Sequence, residues 1–235
     1  MLPVAILAGG LATRLRPMAN ETPKALIVVT GRPFIVHQLE LLHAAGIDRT
    51  VLCVGHLGER IREVVGDGRK FGIVVEYSFD GDALLGTGGA VRQALPMLGE
   101  NFFVLHGDSY LRCSFAQVQA AYQQSRHPAL MTVLRNDNRW DRSNVTFVDG
   151  KLIAYNKKAP RSDMQYIDYG LSVFSRDVFV RCPDQDPIDL ADICANLSER
   201  GELAGLEVFE RFYEIGSLAG LRDTEAYLSQ GGRRQ

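Results

Sequence analysis

The chain alternates short unbroken apolar runs with longer amphipathic stretches. Val4–Leu7 has no polar interruption, which predicts a strand covered on both faces. A glycine-bearing loop separates it from the apolar run Ala25–Val29. From Pro33, which suits the first turn of a helix, Ile35, Leu39, Leu42 and Ala45 recur at helical spacing, and Gly46 closes the element. Thr50–Val54 reads as a second strand, Glu59–Val65 as a helix and Ile73–Tyr77 as a third strand. Gly86–Gly89 opens a helix that runs through Leu95. Asn101–Leu105 is a fourth strand, ending in His106-Gly107-Asp108.

Strands and helices alternating at this cadence, to about Leu134, predict βαβ units around a Rossmann-like, mainly parallel sheet. The texture then changes. Val145–Val148 and Lys151–Tyr155 flank Asp149-Gly150, the signature of a hairpin, and Tyr166–Phe174 is a further extended segment. Helical patterns return at Leu190–Leu197 and Leu218–Leu228, and the tail GGRRQ reads as frayed. The expected fold class is α/β, a single domain over 1–235. Its first half reaches to about 134, and its second half, about 135–228, adds a β-rich lobe over one edge of the sheet.

The 235 residues are 46% hydrophobic, enough for one sizeable core. Lys plus Arg is 26 against 28 Asp plus Glu, a net charge of -2, and nucleic-acid binding is not expected of so balanced a chain. No apolar stretch approaches the roughly 20 residues that span a bilayer, and the first residues do not read as a signal peptide. Cys53, Cys113, Cys182 and Cys194 have no CxxC spacing, so buried thiols in a reducing cytoplasm are expected, not a zinc site. The histidines show no metal-ligand spacing and no triad arrangement.

The chemistry concentrates in LAGGLATRLRPMANETPKAL, Leu7–Leu26. A strand that runs into a glycine-rich turn lets backbone N–H groups converge on an anion. Neither GxxxxGK[ST] nor GxGxxG is present. Arg14, Arg16 and Lys24 lie in one loop after the first strand, where a parallel sheet binds its ligands, and supply planar forks and a point charge for phosphate.

LAGGLATRLRP followed by PKAL resembles the signature of the sugar-1-phosphate nucleotidyltransferases, approximately L-A-G-G-x-G-T-R-L-x-P and P-K-x-L, with Ala12 at a frequent glycine. The similarity extends through LLGTGGAV (Leu84–Val91), FFVLHGDSY (Phe102–Tyr110) and RFYEIGSLAGL (Arg211–Leu221), and so from Leu2 to about Leu228. It implies the nucleotide-diphospho-sugar transferase type of fold, with a nucleotide-binding first half and a sugar-phosphate-binding second half. The implied reaction joins a nucleoside triphosphate to a sugar 1-phosphate and releases pyrophosphate.

Residue by residue, the resemblance implies Arg14 at the pyrophosphate and Lys24 at the α-phosphate as catalytic groups. Leu7, Ala8, Gly9, Gly10, Gly86, Thr87 and Gly88 would hold the nucleoside. Asp108 and Glu214 would hold Mg²⁺, with Glu214 where the family often has aspartate and Leu218 where proline is common. Asn156, Lys157 and Asp168 would face the sugar phosphate, with Asn and Asp exchanged relative to many members and Lys158 an alternative to Lys157. The bland readings are Thr87 as a helix cap, Glu214 as a helix-start charge and the lysine pair as solvated surface.

Within the family the chain looks most like the D-glycero-α-D-manno-heptose 1-phosphate and mannose 1-phosphate guanylyltransferases. Asp80 or Asp82 can accept guanine N1–H and N2–H₂, which is the physical case for GTP. Left open are uridylyl transfer to N-acetylmuramate 1-phosphate, cytidylyl transfer to phosphocholine, guanylyl transfer to molybdopterin, a non-catalytic nucleotide-sugar-binding regulator, and a homo-oligomer.

Overall fold

The computed structural model describes residues 1–10, 22–81, 85–183 and 187–231. In chain order its first half consists of β1 (Val4–Leu7), β2 (Val28–Val29), β3 (Arg32–Pro33), α1 (Phe34–Ala44), β4 (Arg49–Val54), α2 (Gly58–Val65), β5 (Val74–Phe79), α3 (Gly86–Leu98) and β6 (Asn101–His106). The second half adds β7 (Ser109–Tyr110), α4 (Phe115–Ser125), β8 (Ala129–Arg135), β9 (Val145–Val148), β10 (Lys151–Tyr155) and β11 (Tyr166–Ser175). It closes with α5 (Arg176–Val180), α6 (Leu190–Glu199), β12 (Leu203–Val208), β13 (Tyr213–Glu214) and α7 (Leu218–Ser229).

Strands β5, β4, β1 and β6 lie side by side in that order and run parallel. The chain therefore builds outward from β1 through β4 to β5, then returns to place β6 on the other side of β1. That reversal of strand order opens a crevice beyond the carboxyl ends of β1 and β6, where doubly wound sheets take ligands.

Side chains alternate along each strand between two apolar layers, as a period of two requires. Val4, Ile6, Leu52, Val54, Phe103 and Leu105 face α1, α2 and α4. Ala5, Val51, Cys53, Phe102 and Val104 face α3, α5 and α6. A smaller cluster around Val29, Phe34 and Ile215 fixes α7.

The β-rich half joins the same sheet. The joint is β11, antiparallel to β6 on one side and to β8 on the other, with β12 parallel to β8. At its first residue Tyr166 meets Val145, which carries the β9–β10 hairpin. Asp149 and Gly150 both have positive φ, the geometry of the tight hairpin turn expected of Asp-Gly. The register of β11 shifts between Asp168 and Ser172, a bulge with Gly170 at φ +96 that re-aims this stretch toward the crevice.

The sequence pattern gave no separate notice of α4, α5 or β12. The apolar stripe of α4 is only Phe115, Val118 and Tyr122, set among glutamines and alanines; Ser114 caps it by accepting from Gln117 N–H. Pro33 lies at the N-cap of α1, one residue outside the first turn.

Phe103 is fully buried and meets the Phe115 ring edge-on at 5.4 Å. Phe103→Ala is expected to lower unfolding stability by about 3–5 kcal/mol. Val28→Thr, at a position 61% exposed, should stay within about 0.5 kcal/mol. Urea denaturation of both variants checks this; similar losses would contradict the assigned core.

Candidate active site

Gly107 places the site. Its N–H donates to Leu7 C=O at 3.2 Å, and a Cβ there would lie 2.4 Å from the same oxygen. Only glycine lets the end of β6 run this close to the end of β1. Asp108 follows directly and projects into the crevice.

The turn is strapped from beneath by Gln38. This side chain is fully buried on α1, and its Nε2 donates to His106 C=O at 3.0 Å and Ser109 C=O at 2.9 Å. Sequence reasoning missed it, because a glutamine on an amphipathic helix reads as surface.

Lys24 arrives from the other direction, in the single 3₁₀ turn Lys24–Leu26 that follows Pro23. Its N–H donates to Gly10 C=O at 3.4 Å, and its ammonium pairs with Asp108 Oδ2 at 3.0 Å. Ser109 Oγ donates to Asp108 Oδ1 at 3.3 Å. Burial alone would push the Asp108 carboxyl up. The charges of Lys24 and His106, with the hydrogen bonds from Lys24 and Ser109, outweigh it and hold the group below the usual carboxylate value.

Glu214 pairs with Ser109 across β13 and β7, and Ile215 N–H donates to Asp108 C=O at 3.0 Å. Its carboxylate accepts from Gly216 N–H, from Ser217 N–H at 3.1 Å and from Ser217 Oγ at 2.6 Å. Glu214 therefore does serve as a helix-start charge for α7. It also borders the crevice. A Cβ added to Gly216 would lie 2.9 Å from Glu214 Oε2, 3.4 Å from Asp108 Oδ2 and 3.5 Å from Lys24 Nζ. Two carboxylates and one ammonium thus converge on a backbone position with no side chain.

Two clefts meet at this point. The first, about 480 Å³, is floored by Leu7, Ala8, Gly9 and Gly10 and bounded by Asp80, Gly86 and Thr87. The second, about 750 Å³, extends past Glu214 and Asp168 to Trp140 and Arg211. Lys24, His106, Asp108 and Lys157 line both.

Asp80 follows β5, and burial raises its carboxyl. Cys53 lies beneath the first cleft, where burial, then the nearby Asp80 charge, push its thiol up to about 12. A thiol so raised is not a nucleophile at neutral pH.

The second glycine cluster is held by the far half of the chain. Gly88 N–H donates to Ile188 C=O at 2.8 Å, and Ile188 N–H to Leu85 C=O at 2.8 Å. Gly86 has φ +75, and a Cβ there would be 2.4 Å from Ile188 C=O. Thr87 does not cap α3, whose N-cap is Leu85. Its hydroxyl instead donates to Asp189 Oδ1 at 3.0 Å and accepts from Leu190 N–H at 2.8 Å. Gly86 and Thr87 line the first cleft, whereas Gly88 is packed against Ile188 and Ile193.

The expected sugar-phosphate residues separate. Lys157 lines both clefts, while Lys158 turns away to pair with Asp192 at 2.6 Å. Asp168 lines the second cleft, and its Oδ1 accepts from Gly170 N–H at 2.9 Å within the bulge. Asn156 is not among the residues lining either cleft, and its Oδ1 accepts from Ala159 N–H at 2.8 Å in a local turn. The asparagine at the second cleft is the buried Asn144, whose Oδ1 accepts from Asp168 N–H at 2.9 Å. Arg14 and Asp82 lie outside the described residues.

Among the described residues no three His, Cys, Asp or Glu side chains form a cage for a metal ion. The donor set at Gly216 is two carboxylates facing open cleft, which fits Mg²⁺, an ion usually held by one or two carboxylates plus phosphate oxygens and water.

Residues 4–230 match the model of the nucleotidyl transferase family. The chain belongs to that family. A glucose-1-phosphate thymidylyltransferase of Streptomyces antibioticus is 31% identical over 69% of this chain and 47% of its own length. A mannose-1-phosphate guanylyltransferase of Mycobacterium tuberculosis is 29% identical over 76% of this chain and 50% of its own. A D-glycero-α-D-manno-heptose 1-phosphate guanylyltransferase of Campylobacter jejuni is 28% identical over 74% and 76%. The chain thus spans about half the length of several curated relatives. Among solved structures, HddC from Yersinia pseudotuberculosis complexed with GMP-PN superposes with a TM-score of 0.81 at 21% identity, covering 97% of this chain and 100% of that one. That likeness shows the fold.

Lys24→Met is expected to raise the Asp108 titration midpoint, which ¹³C NMR of the carboxyl measures directly. The ion pair depresses the folded-state value. Its contribution to stability is therefore present above the ordinary carboxylate pKa and lost as pH falls through the depressed one. The variant should lose part of that acid-side dependence. An unmoved midpoint would mean that Lys24 does not set the charge of Asp108.

Proposed function

We propose that the chain is a nucleotidyltransferase that joins a nucleoside triphosphate to a sugar 1-phosphate. The observation that carries this is the convergence of Lys24, Asp108 and Glu214 on Gly216, where the two clefts meet. The first cleft takes the nucleotide, along the Leu7–Gly10 backbone and beside Gly86 and Thr87. The second takes the sugar 1-phosphate, with Lys157 at its phosphate and Asp168 at its hydroxyls.

A sugar-phosphate oxygen attacks the α-phosphorus, the bond to the β-bridging oxygen breaks, and pyrophosphate leaves with the electron pair. The attacking oxygen is already ionised at neutral pH, so no protein base is needed. Catalysis rests on alignment and on neutralising charge. Lys24 is placed for the α-phosphate, and the family resemblance assigns Arg14 to the pyrophosphate. Asp108 and Glu214 would hold Mg²⁺, which when bound offsets phosphate charge and orients the reactants. Lys24 would then exchange its carboxylate partner for phosphate.

For substrates, the reading favours GTP with heptose or mannose 1-phosphate. Asp80 is a carboxylate on the first cleft with no ion-pair partner among the described residues, suited to the N–H groups of guanine. Guanylyltransferases among the relatives support the same pair. The alternative is uridylyl transfer, supported by an N-acetylmuramate α-1-phosphate uridylyltransferase of Neisseria meningitidis that is 39% identical over half of this chain. The reaction's substrates and Mg²⁺ are those of the cytoplasm, where the protein is placed by this reading.

Pyrophosphate release with Mg²⁺, crossing GTP, UTP, CTP, ATP and dTTP with a panel of sugar 1-phosphates and phosphocholine, tests the assignment. One strongly preferred pair, GTP with heptose or mannose 1-phosphate, is expected. Asp108→Asn should keep a native melting profile and lose at least about a thousandfold in turnover. Silence of the wild type across the panel with nucleotide binding intact, or a fully active Asp108→Asn, would overturn the proposal.

A further inference from the structure

Behind Lys157 lies a third, much smaller space of about 50 Å³, between the end of β6, strands β10 and β11 and the first turn of α6. Besides Thr87, whose hydroxyl is already bonded to Asp189 and to Leu190 N–H, two hydroxyl side chains line it, Tyr155 at 4% exposure and Ser172 at 7%. Neither hydroxyl has a hydrogen-bond partner among the described residues, although Tyr155 N–H donates to Ser198 Oγ. Among the described residues Gln38 Oε1 is the one buried side-chain oxygen without a partner, so the Tyr155 and Ser172 hydroxyls stay accessible and can each bond a polar group that enters the space. Asp168 and Lys157 line the same space. His106, Lys157 and Asp168 also line the second cleft, and Thr87, His106 and Lys157 the first, so the small space is a recess at the junction of the two, reached from the second past Asp168.

The size limits what enters. A cavity of about 50 Å³ stands against the roughly 10–15 Å³ that one water needs on the same measure, so the space takes a few waters or one small substituent such as a hydroxymethyl group. The charge limits it further. The carboxylates of Asp168 and Asp189 share the lining with Lys157 and His106, and a neutral hydroxyl, which both donates and accepts, suits such a mixed set. The wall formed by Leu190, Ala191 and Cys194 is apolar and offers nothing to a second polar group.

We infer that this recess is a specificity pocket for one hydroxyl-bearing substituent of the acceptor sugar, read by the hydroxyls of Tyr155 and Ser172. It rests on the sugar 1-phosphate occupying the second cleft. A site that hydrogen-bonds a substrate hydroxyl discriminates strongly against an analogue lacking it, because its own buried groups are then left unpaired. Tyr155 is a specificity residue. It lies at the end of β10, next to Asn156, and its ring is held among the apolar residues facing α6.

The test uses Tyr155→Phe, which removes the hydroxyl and keeps the ring, assayed with the preferred nucleotide. The acceptors are mannose or heptose 1-phosphate, whichever the wild type uses, and its 2-, 3-, 4- and 6-deoxy analogues. For the parent sugar, kcat/KM should fall about tenfold or more, with the KM for nucleotide unchanged. One deoxy analogue should be poor for the wild type and no poorer for Tyr155→Phe, naming the substituent that enters the recess. Equal falls for all analogues, or an unaffected variant, would mean the recess holds only water and would overturn the inference alone. No turnover of either parent sugar by the wild type would overturn it together with the assignment of these acceptors.

Discussion

The reversal of strand order at β1 is the constraint on which the rest of the molecule depends. Because β4 and β6 flank β1 on opposite sides, the strand order reverses there and a crevice opens beyond the carboxyl ends of β1 and β6. The close approach of Gly107 to Leu7 fixes how deep that crevice is and where Asp108 enters it. Gln38 then ties the Asp108 turn to the buried face of α1, so the carboxylate is positioned by the core rather than by a free loop.

Charge balance follows from that placement. A carboxylate at the base of a crevice is costly unless paired, and Lys24 supplies the pairing from the loop after β1. Glu214 is satisfied differently, by the N–H groups and hydroxyl at the start of α7, which leaves its negative charge uncompensated by any cation within ion-pair distance among the described residues. The site thus holds one neutralised and one un-neutralised carboxylate around a bare glycine. Such an arrangement is suited to a divalent cation together with a phosphate that draws Lys24 away. The second half of the chain contributes the other walls: β11 through its bulge, the Tyr155–Lys157 segment, and Ile188 and Asp189 clamping the Gly86–Thr87 turn.

Contiguous features of the site were legible in the sequence. The glycine loop, Lys24, the Gly107-Asp108 end of β6 and Glu214 each sit in a local pattern with a physical meaning, and the structure brings Lys24, Asp108 and Glu214 to one point. The alternation of strands and helices likewise foretold the parallel half of the sheet and the Asp149-Gly150 hairpin. What stayed hidden depends on contacts between distant segments. Gln38 differs from a surface glutamine only because the turn of residues 106–109 lies over it. Asn144 lines the second cleft and bonds Asp168 N–H across 24 residues, a contact that no local pattern marks. Thr87 is drawn to Asp189, some hundred residues away, and no local signal marks that. Helix α4 carries too narrow an apolar stripe to stand out, and α5 is only five residues long.

The central claim is that the two clefts deliver their ligands to opposite sides of one phosphorus atom, with no protein nucleophile between them. The stereochemical course of the reaction tests it most directly. Turnover of the α-thio analogue of the preferred nucleoside triphosphate, one diastereomer at a time with the product configuration read by ³¹P NMR, should show inversion at the α-phosphorus. Retention would require a covalent nucleotidyl-protein intermediate and would contradict the account.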